Sequence, residues 1–225
     1  MPRPWKKLYA KSLNGGNELA ATTLTQPTKK QQAKDWATAR LSDPNTLILD
    51  IESTGILSKD PNTEIVQLCI INTAGRPVLT MMLKPDRPMS AEVQAVHGIT
   101  NDMVQDKPFF IQVAKVISKY LGGKHVVSYN ADFDISLLLS LFDKYQEPRP
   151  KMASASCCMD QYSAWVGEVS KKNPGEFKWQ KLPNLSGMPS HDALADCIST
   201  LKVMQKMAGL FDEATQDADL IELDF

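Results

Sequence analysis

The sequence predicts an α/β fold, a mixed five-stranded sheet with helices on both faces. Three observations carry that expectation. Apolar runs follow one another between residues 46 and 83 through two short connections, which implies an antiparallel three-strand meander. Beyond them strand and helix patterns alternate, as in sheets with helical crossovers. The 225 residues, 43% hydrophobic and 23% charged, suit one globular domain with tails, large enough to need no disulfide or zinc staple.

The elements are expected as follows. Residues 1–28, with Gly15-Gly16 and Pro27, read as a flexible basic arm, residues 29–210 as the folded domain and 211–225 as an acidic tail. Thr46 to Ile51 is a short buried strand and Glu64 to Asn72 a second. Pro77 to Leu83 is the third, after the turn Ala74-Gly75-Arg76. Phe109, Val113, Val116, Ile117 and Tyr120 mark a helical stripe closed by Gly122-Gly123. His125 to Tyr129 is a fourth strand, and Asp132 to Lys144 a helix apolar on most sides. Ala153 to Met159 reads as the fifth strand, with Asp160 opening a helix. His191 to Gly209 closes the body as a long helix with Leu194, Ile198 and Leu201 on one stripe.

Charge narrows the function classes. Lys and Arg number 25 against 26 Asp and Glu, a net of -1, so a uniformly cationic nucleic-acid binder is excluded. Contact with a polyanion must use a local patch or bound cations. The ends are lopsided: residues 1–40 carry eight basic residues against two acids, and 211–225 carry six acids and no base. No apolar run is long enough to span a membrane, and the N-terminus lacks the apolar core of a secretory signal. Cys69, Cys157, Cys158 and Cys197 form no Cys-x-x-Cys and read as reduced core thiols of a cytoplasmic protein.

Three acidic sites stand out. In the strand Leu47-Ile48-Leu49-Asp50-Ile51-Glu52, residues two apart face the same way, so Asp50 and Glu52 share a face. Adjacent buried carboxylates repel and lose hydration, and a divalent cation compensates both effects. If the strand instead stops at Ile48, both acids sit in a solvated turn. The second site, Asn130-Ala131-Asp132-Phe133-Asp134, follows the fourth strand at the edge of the sheet where ligands gather; one of its two acids only complements the helix dipole. The third is His191-Asp192-Ala193-Leu194-Ala195-Asp196. Positions 191 and 196 lie about 140° apart on an ideal helix. His191 is therefore placed on the loop entering the helix and Asp196 on its second turn, from where both reach one cleft.

Together these residues resemble the DEDDh 3′–5′ exonucleases, which include bacterial proofreading exonucleases, exonuclease X, RNase T and oligoribonuclease. The pattern Asp-x-Glu-x-Thr-Gly falls on Asp50, Glu52, Thr54 and Gly55. Asn-x-x-Phe-Asp falls on Asn130, Phe133 and Asp134, which selects Asp134 over Asp132. His and Asp five apart fall on His191 and Asp196, and a Val-His-Gly-Ile-Thr loop on Val96 to Thr100. The resemblance spans about residues 46–208. It implies a three-layer ribonuclease H-like fold and two-metal hydrolysis of the terminal phosphodiester, releasing nucleoside 5′-monophosphates.

In that reading Asp50, Glu52, Asp134 and Asp196 hold two Mg²⁺ ions, with Mn²⁺ able to substitute, and His191 is the general base. Thr54, Gly55, Ile56, His97, Thr100, Asn130 and Phe133 would receive the 3′-terminal nucleotide. The implied partner is nucleic acid with a free 3′ end, single-stranded or frayed DNA in preference to RNA, in proofreading, repair or end trimming. The competing readings are an exoribonuclease of the same fold, an inactive exonuclease-like binding module and a metal-dependent phosphatase or other hydrolase with a similar acid cluster. Lys171, Lys172, Lys178 and Lys181 around Trp179 read equally as a strand-binding patch and as a solvated loop. The tail, with Leu220, Ile221, Leu223 and Phe225 among its acids, reads either as folding back on the body or as docking on a replication or repair protein.

Overall fold

The computed structural model describes residues 27–189 and 191–211. Five strands form one sheet: β1 (Thr46–Ser53), β2 (Ile65–Asn72), β3 (Pro77–Met82), β4 (His125–Ser128) and β5 (Ser154–Cys157). Their order is β3-β2-β1-β4-β5. β1–β2 and β2–β3 pair antiparallel, β1–β4 and β4–β5 parallel. The meander and the crossover half meet at β1, which is therefore central and buried throughout. That burial contradicts a strand ending at Ile48.

Helices cover both faces. α1 (Lys29–Ser42), α2 (Ala91–His97), α3 (Asn101–Val104), α4 (Phe110–Leu121), α5 (Ala131–Lys144), α6 (Cys158–Val166) and α7 (Ala193–Ala208) complete the described chain. α7 packs over β1 and β2 and against α1 and α6, while α5 packs over β1, β4 and β5. The Phe110 ring meets Phe142 edge-on at 5.2 Å and joins α4 to α5.

Several expectations need correction. The buried stripe of α4 is Phe110, Ala114, Ile117 and Leu121; Val116 and Tyr120 are exposed. The helix starts at Phe110, because Gln112 Oε1 accepts the Phe109 N–H at 2.8 Å and sets the first turn one residue later than the apolar pattern suggests. β5 ends at Cys157 and α6 begins at once, two residues before Asp160. α7 starts at Ala193, capped by Asp192 and closed by Gly209 at φ 78°. α1 buries Ala33 and Ala37, small enough to bring its backbone close to its neighbours, and packs Trp36 and Leu41 against the core beside them. The four cysteines are free and buried. Among the described residues no helix is long and apolar enough to cross a membrane.

The arm, apart from Pro27 and Thr28, and the tail beyond Phe211 lie outside the described residues. Thr28 caps α1, accepting the Gln31 N–H at 3.1 Å.

Candidate active site

The site begins on β1. Asp50 and Glu52 are two apart on a regular strand, so both project from one face, as the pleat requires. Their register partners on β2 are Cys69 and Gln67. Past Glu52 the register slips: Ser53 pairs with Ile65, leaving Val66 without a partner on β1. Val66 joins Met89, Ile99 and Val104 in a small second core. That core anchors the excursion carrying His97 and Thr100.

The second acid comes from the β4–α5 junction. Asn130 ends the strand run and its carbonyl accepts the N–H groups of Phe133 (2.8 Å) and Asp134 (3.1 Å). This turn brings Asp134 back over the sheet, where the buried Ser128 hydroxyl donates to it. Asp134 is buried whereas Asp132 is only half-buried.

The third pair comes from the start of α7. His191 lies just before the cap, with φ 61°, a conformation that a non-glycine residue holds only when both sides are fixed. Asp196 donates its N–H to the Asp192 carbonyl at 2.9 Å, one turn in. Ligand atoms of Glu52, His191 and Asp196 lie within 4.8 Å of one another. His191 and Asp196 thus lie together beside Glu52.

The electrostatics tie Asp50 and Asp134 to the same centre. Burial pushes Asp50 well above the ordinary carboxylate range, and the charges of Asp134, Asp196 and Glu52 add to it. Burial, then Asp196 and Asp134, push Glu52 up to about 8. Asp134 rises to about 7 from burial, against the lowering hydrogen bond from Ser128. Asp196 is raised because burial outweighs the attraction of His191. Among the described residues no lysine or arginine forms an ion pair with any of the four. A cluster of oxygen donors with no protein counter-ion fits hard divalent cations.

The remaining candidates come from the loop after β1, from the segment around α2 and α3, and from the start of α5. The Thr54 hydroxyl accepts the Glu64 N–H at 2.9 Å, and Ser53 Oγ donates to the Gly55 carbonyl at 2.7 Å, so this loop is held open. Ile56 is 46% exposed at its tip. Thr100 caps α3, accepting the Met103 N–H at 3.3 Å. His97 Nδ1 accepts the Ile99 N–H at 3.1 Å. Its Nε2 is buried and makes no well-formed hydrogen bond, although the Ser53 backbone and His191 are near. Burial, and secondarily His191, hold this imidazole below the usual histidine range despite the Ser53 backbone. Phe133 packs against the main core, so part of its role is structural.

The basic-aromatic patch is a hairpin. Ser170 donates its N–H to the Glu176 carbonyl at 2.9 Å, and Lys178 its N–H to that of Glu168 at 2.7 Å. Lys178 Nζ also pairs with Glu168 at 2.8 Å. Trp179 is 61% exposed, and the chain after it returns to the body, where the Tyr129 hydroxyl donates to the Gln180 carbonyl at 2.8 Å. His125 bonds Ser154 at 2.7 Å and sits 3.4 Å from Asp43, a structural pairing. Ser128 and Gln67 were not legible as site residues: Ser and Gln on a strand carry no signal until their partners are known.

The exonuclease family profile of the RNase T type matches residues 47–204. The chain belongs to that exonuclease family. It is 30% identical over 201 residues to "Uncharacterized exonuclease CP81" of Escherichia phage 186, covering 83% of this chain and 97% of the relative. It is 29% identical over 161 residues to exodeoxyribonuclease 10 of Escherichia coli, covering 70% of this chain and 66% of that one. Escherichia coli exonuclease I, solved with a dA16 oligonucleotide, superposes with a TM-score of 0.56 at 19% identity, over 73% of this chain and 42% of the other. That likeness concerns the fold, a mixed five-stranded ribonuclease H-like sheet. The protein is thus an exonuclease-family hydrolase with a cluster of acids and a histidine able to hold metal.

The raised carboxylates have a thermal consequence. A carboxylate with a folded pKa above its unfolded value binds more protons when folded, so stability falls as pH rises between the two. For Glu52 and Asp134 that window runs from the ordinary carboxylate value to about 8 and about 7. In EDTA, Glu52→Gln should melt higher than the parent at pH 8, by on the order of a few degrees, and match it near pH 4. Added Mg²⁺ should stabilise the parent more at pH 8 than at pH 5, because metal and proton compete. Scanning calorimetry in EDTA and in Mg²⁺ checks both; equal melting of the two proteins at pH 8 in EDTA would contradict the electrostatics.

Proposed function

We propose that the protein is a metal-dependent 3′–5′ exonuclease that releases nucleoside 5′-monophosphates, acting on single-stranded or frayed DNA. The observation that carries this reading is the convergence of Asp50, Glu52, Asp134, Asp196 and His191 from three distant segments on one buried, negatively charged centre. Two Mg²⁺ ions held by the four carboxylates would neutralise that charge, activate the attacking water and stabilise the departing 3′ oxygen. His191, at the rim, takes the proton from the attacking water. Ile56 and the Thr54-Gly55 loop meet the terminal base, and the loop from His97 to Thr100 approaches the terminal sugar. The names of exodeoxyribonuclease 10 and of the exonuclease I complex support DNA over RNA. Four buried free thiols suit a reducing compartment, and we place the protein in the cytoplasm.

Matched single-stranded DNA, duplex DNA and RNA of one sequence test the substrate reading. Single-stranded DNA should be degraded fastest and yield 5′-mononucleotides on chromatography. Faster loss of RNA would move the protein to the exoribonucleases, and binding without cleavage of any strand would make it a binding module.

A further inference from the structure

Gln67 lies buried on β2, in register with Glu52 across the antiparallel pair, so both project from the same face. Both ends of its amide are engaged. Nε2 donates to Asp192 Oδ2 at 3.0 Å, and Oε1 accepts the Ala193 N–H at 3.0 Å. Asp192 Oδ1 accepts the N–H groups of Leu194 and Ala195, each at 3.1 Å. The first three N–H groups of α7, which no helix can satisfy internally, are thus held by two side chains.

We propose that Gln67 and Asp192 form a clamp that positions His191 and Asp196 against Glu52. Both are positioning residues of the nuclease centre, and the proposal rests on that reading of the centre. The need for a clamp follows from position: His191 and Asp196 stand at the start of α7, and their ligand atoms lie within 4.8 Å of that of Glu52 on β1. A tie at this place must satisfy one carboxylate and one backbone N–H together. An amide does so, donating from one end and accepting at the other; a carboxylate at position 67 would face Asp192 with no proton between them. The clamp fixes the residue after His191, which explains how His191 keeps its left-handed backbone.

A reciprocal exchange tests this. Gln67→Glu removes the donor to Asp192, and Asp192→Asn sets two amide donors face to face. In the double variant the amide and the carboxylate trade places, so every contact returns at the same net charge, with the bond between the two side chains now donated from position 192. Each single variant should lower kcat for mononucleotide release by about 10- to 100-fold, the range for partners that orient ligands, with little change in KM. Each should also speed hydrogen exchange at Ala193 to Ala195 in metal-free protein. The double variant should recover most of both, a coupling that independent sites do not show. Exchange that recovers in a protein whose wild type cuts no nucleic acid would uphold the clamp and overturn the nuclease reading. Undiminished kcat and unchanged exchange in both single variants, or a double variant that stays slow or melts no higher than the singles, would overturn the clamp.

Discussion

Asp134→Asn is expected to lower turnover by well over 100-fold, more than the loss of a residue that only orients a ligand, while Asp132→Asn keeps most activity. The asparagine matches the aspartate in shape and still accepts from Ser128, so the buried hydroxyl is not orphaned. What is lost is one charge of the cluster that would hold the cations. Folding should not suffer: Asp134 helps push Asp50 and Glu52 upward, so removing its charge relieves repulsion in the metal-free protein. Steady-state rates with melting curves in EDTA separate the two effects. A dead Asp132→Asn beside an active Asp134→Asn would mean that the second acidic motif is aligned two residues out.

The second large effect is expected at His191. Loss of a general base costs about 10²–10⁴ in rate. His191→Ala should therefore turn over slowly, recover in part as rising pH supplies hydroxide, and bind Mn²⁺ as tightly as the parent. The last point matters because His191 lies close enough to Glu52 and Asp196 to be a ligand itself. Calorimetric titration with Mn²⁺ decides between the roles. Unchanged affinity with a slow rate supports the base, and a large loss of affinity makes His191 a ligand.

Much of this centre was legible because its parts obey local periodicities. Asp50 and Glu52 share a face because a strand repeats every two residues, and β1 stays regular as far as Glu52. His191 and Asp196 cannot share a narrow helix face, which placed His191 before the helix, where it is found. What stayed hidden depends on contacts across long separations. Gln67 is an ordinary polar residue on a strand until α7 arrives above it. α1 was missed although Ala33, Trp36, Ala37 and Leu41 recur at helical spacing, because two of the four are alanines and charged residues stand between them. The short helices around His97 have signals that a periodicity search misses, Ser90 at the first cap and Gly98 at φ 72° after the last turn. The α4 stripe was displaced because the apolar arc of that helix is broad, and the buried face of Phe110, Ala114, Ile117 and Leu121 lies to one side of it, leaving Val116 and Tyr120 exposed.

The most direct test of the central claim, that the acids and His191 form one metal-dependent 3′–5′ exonuclease centre, is a time course on single-stranded DNA labelled at its 3′-terminal nucleotide. With Mg²⁺ the label should leave first, as a mononucleotide, while a 5′ label on the same strand shortens in single-nucleotide steps. EDTA should stop both. Release of the 3′ label at an undiminished rate in EDTA, or mononucleotide release from the 5′ end first, would contradict the account.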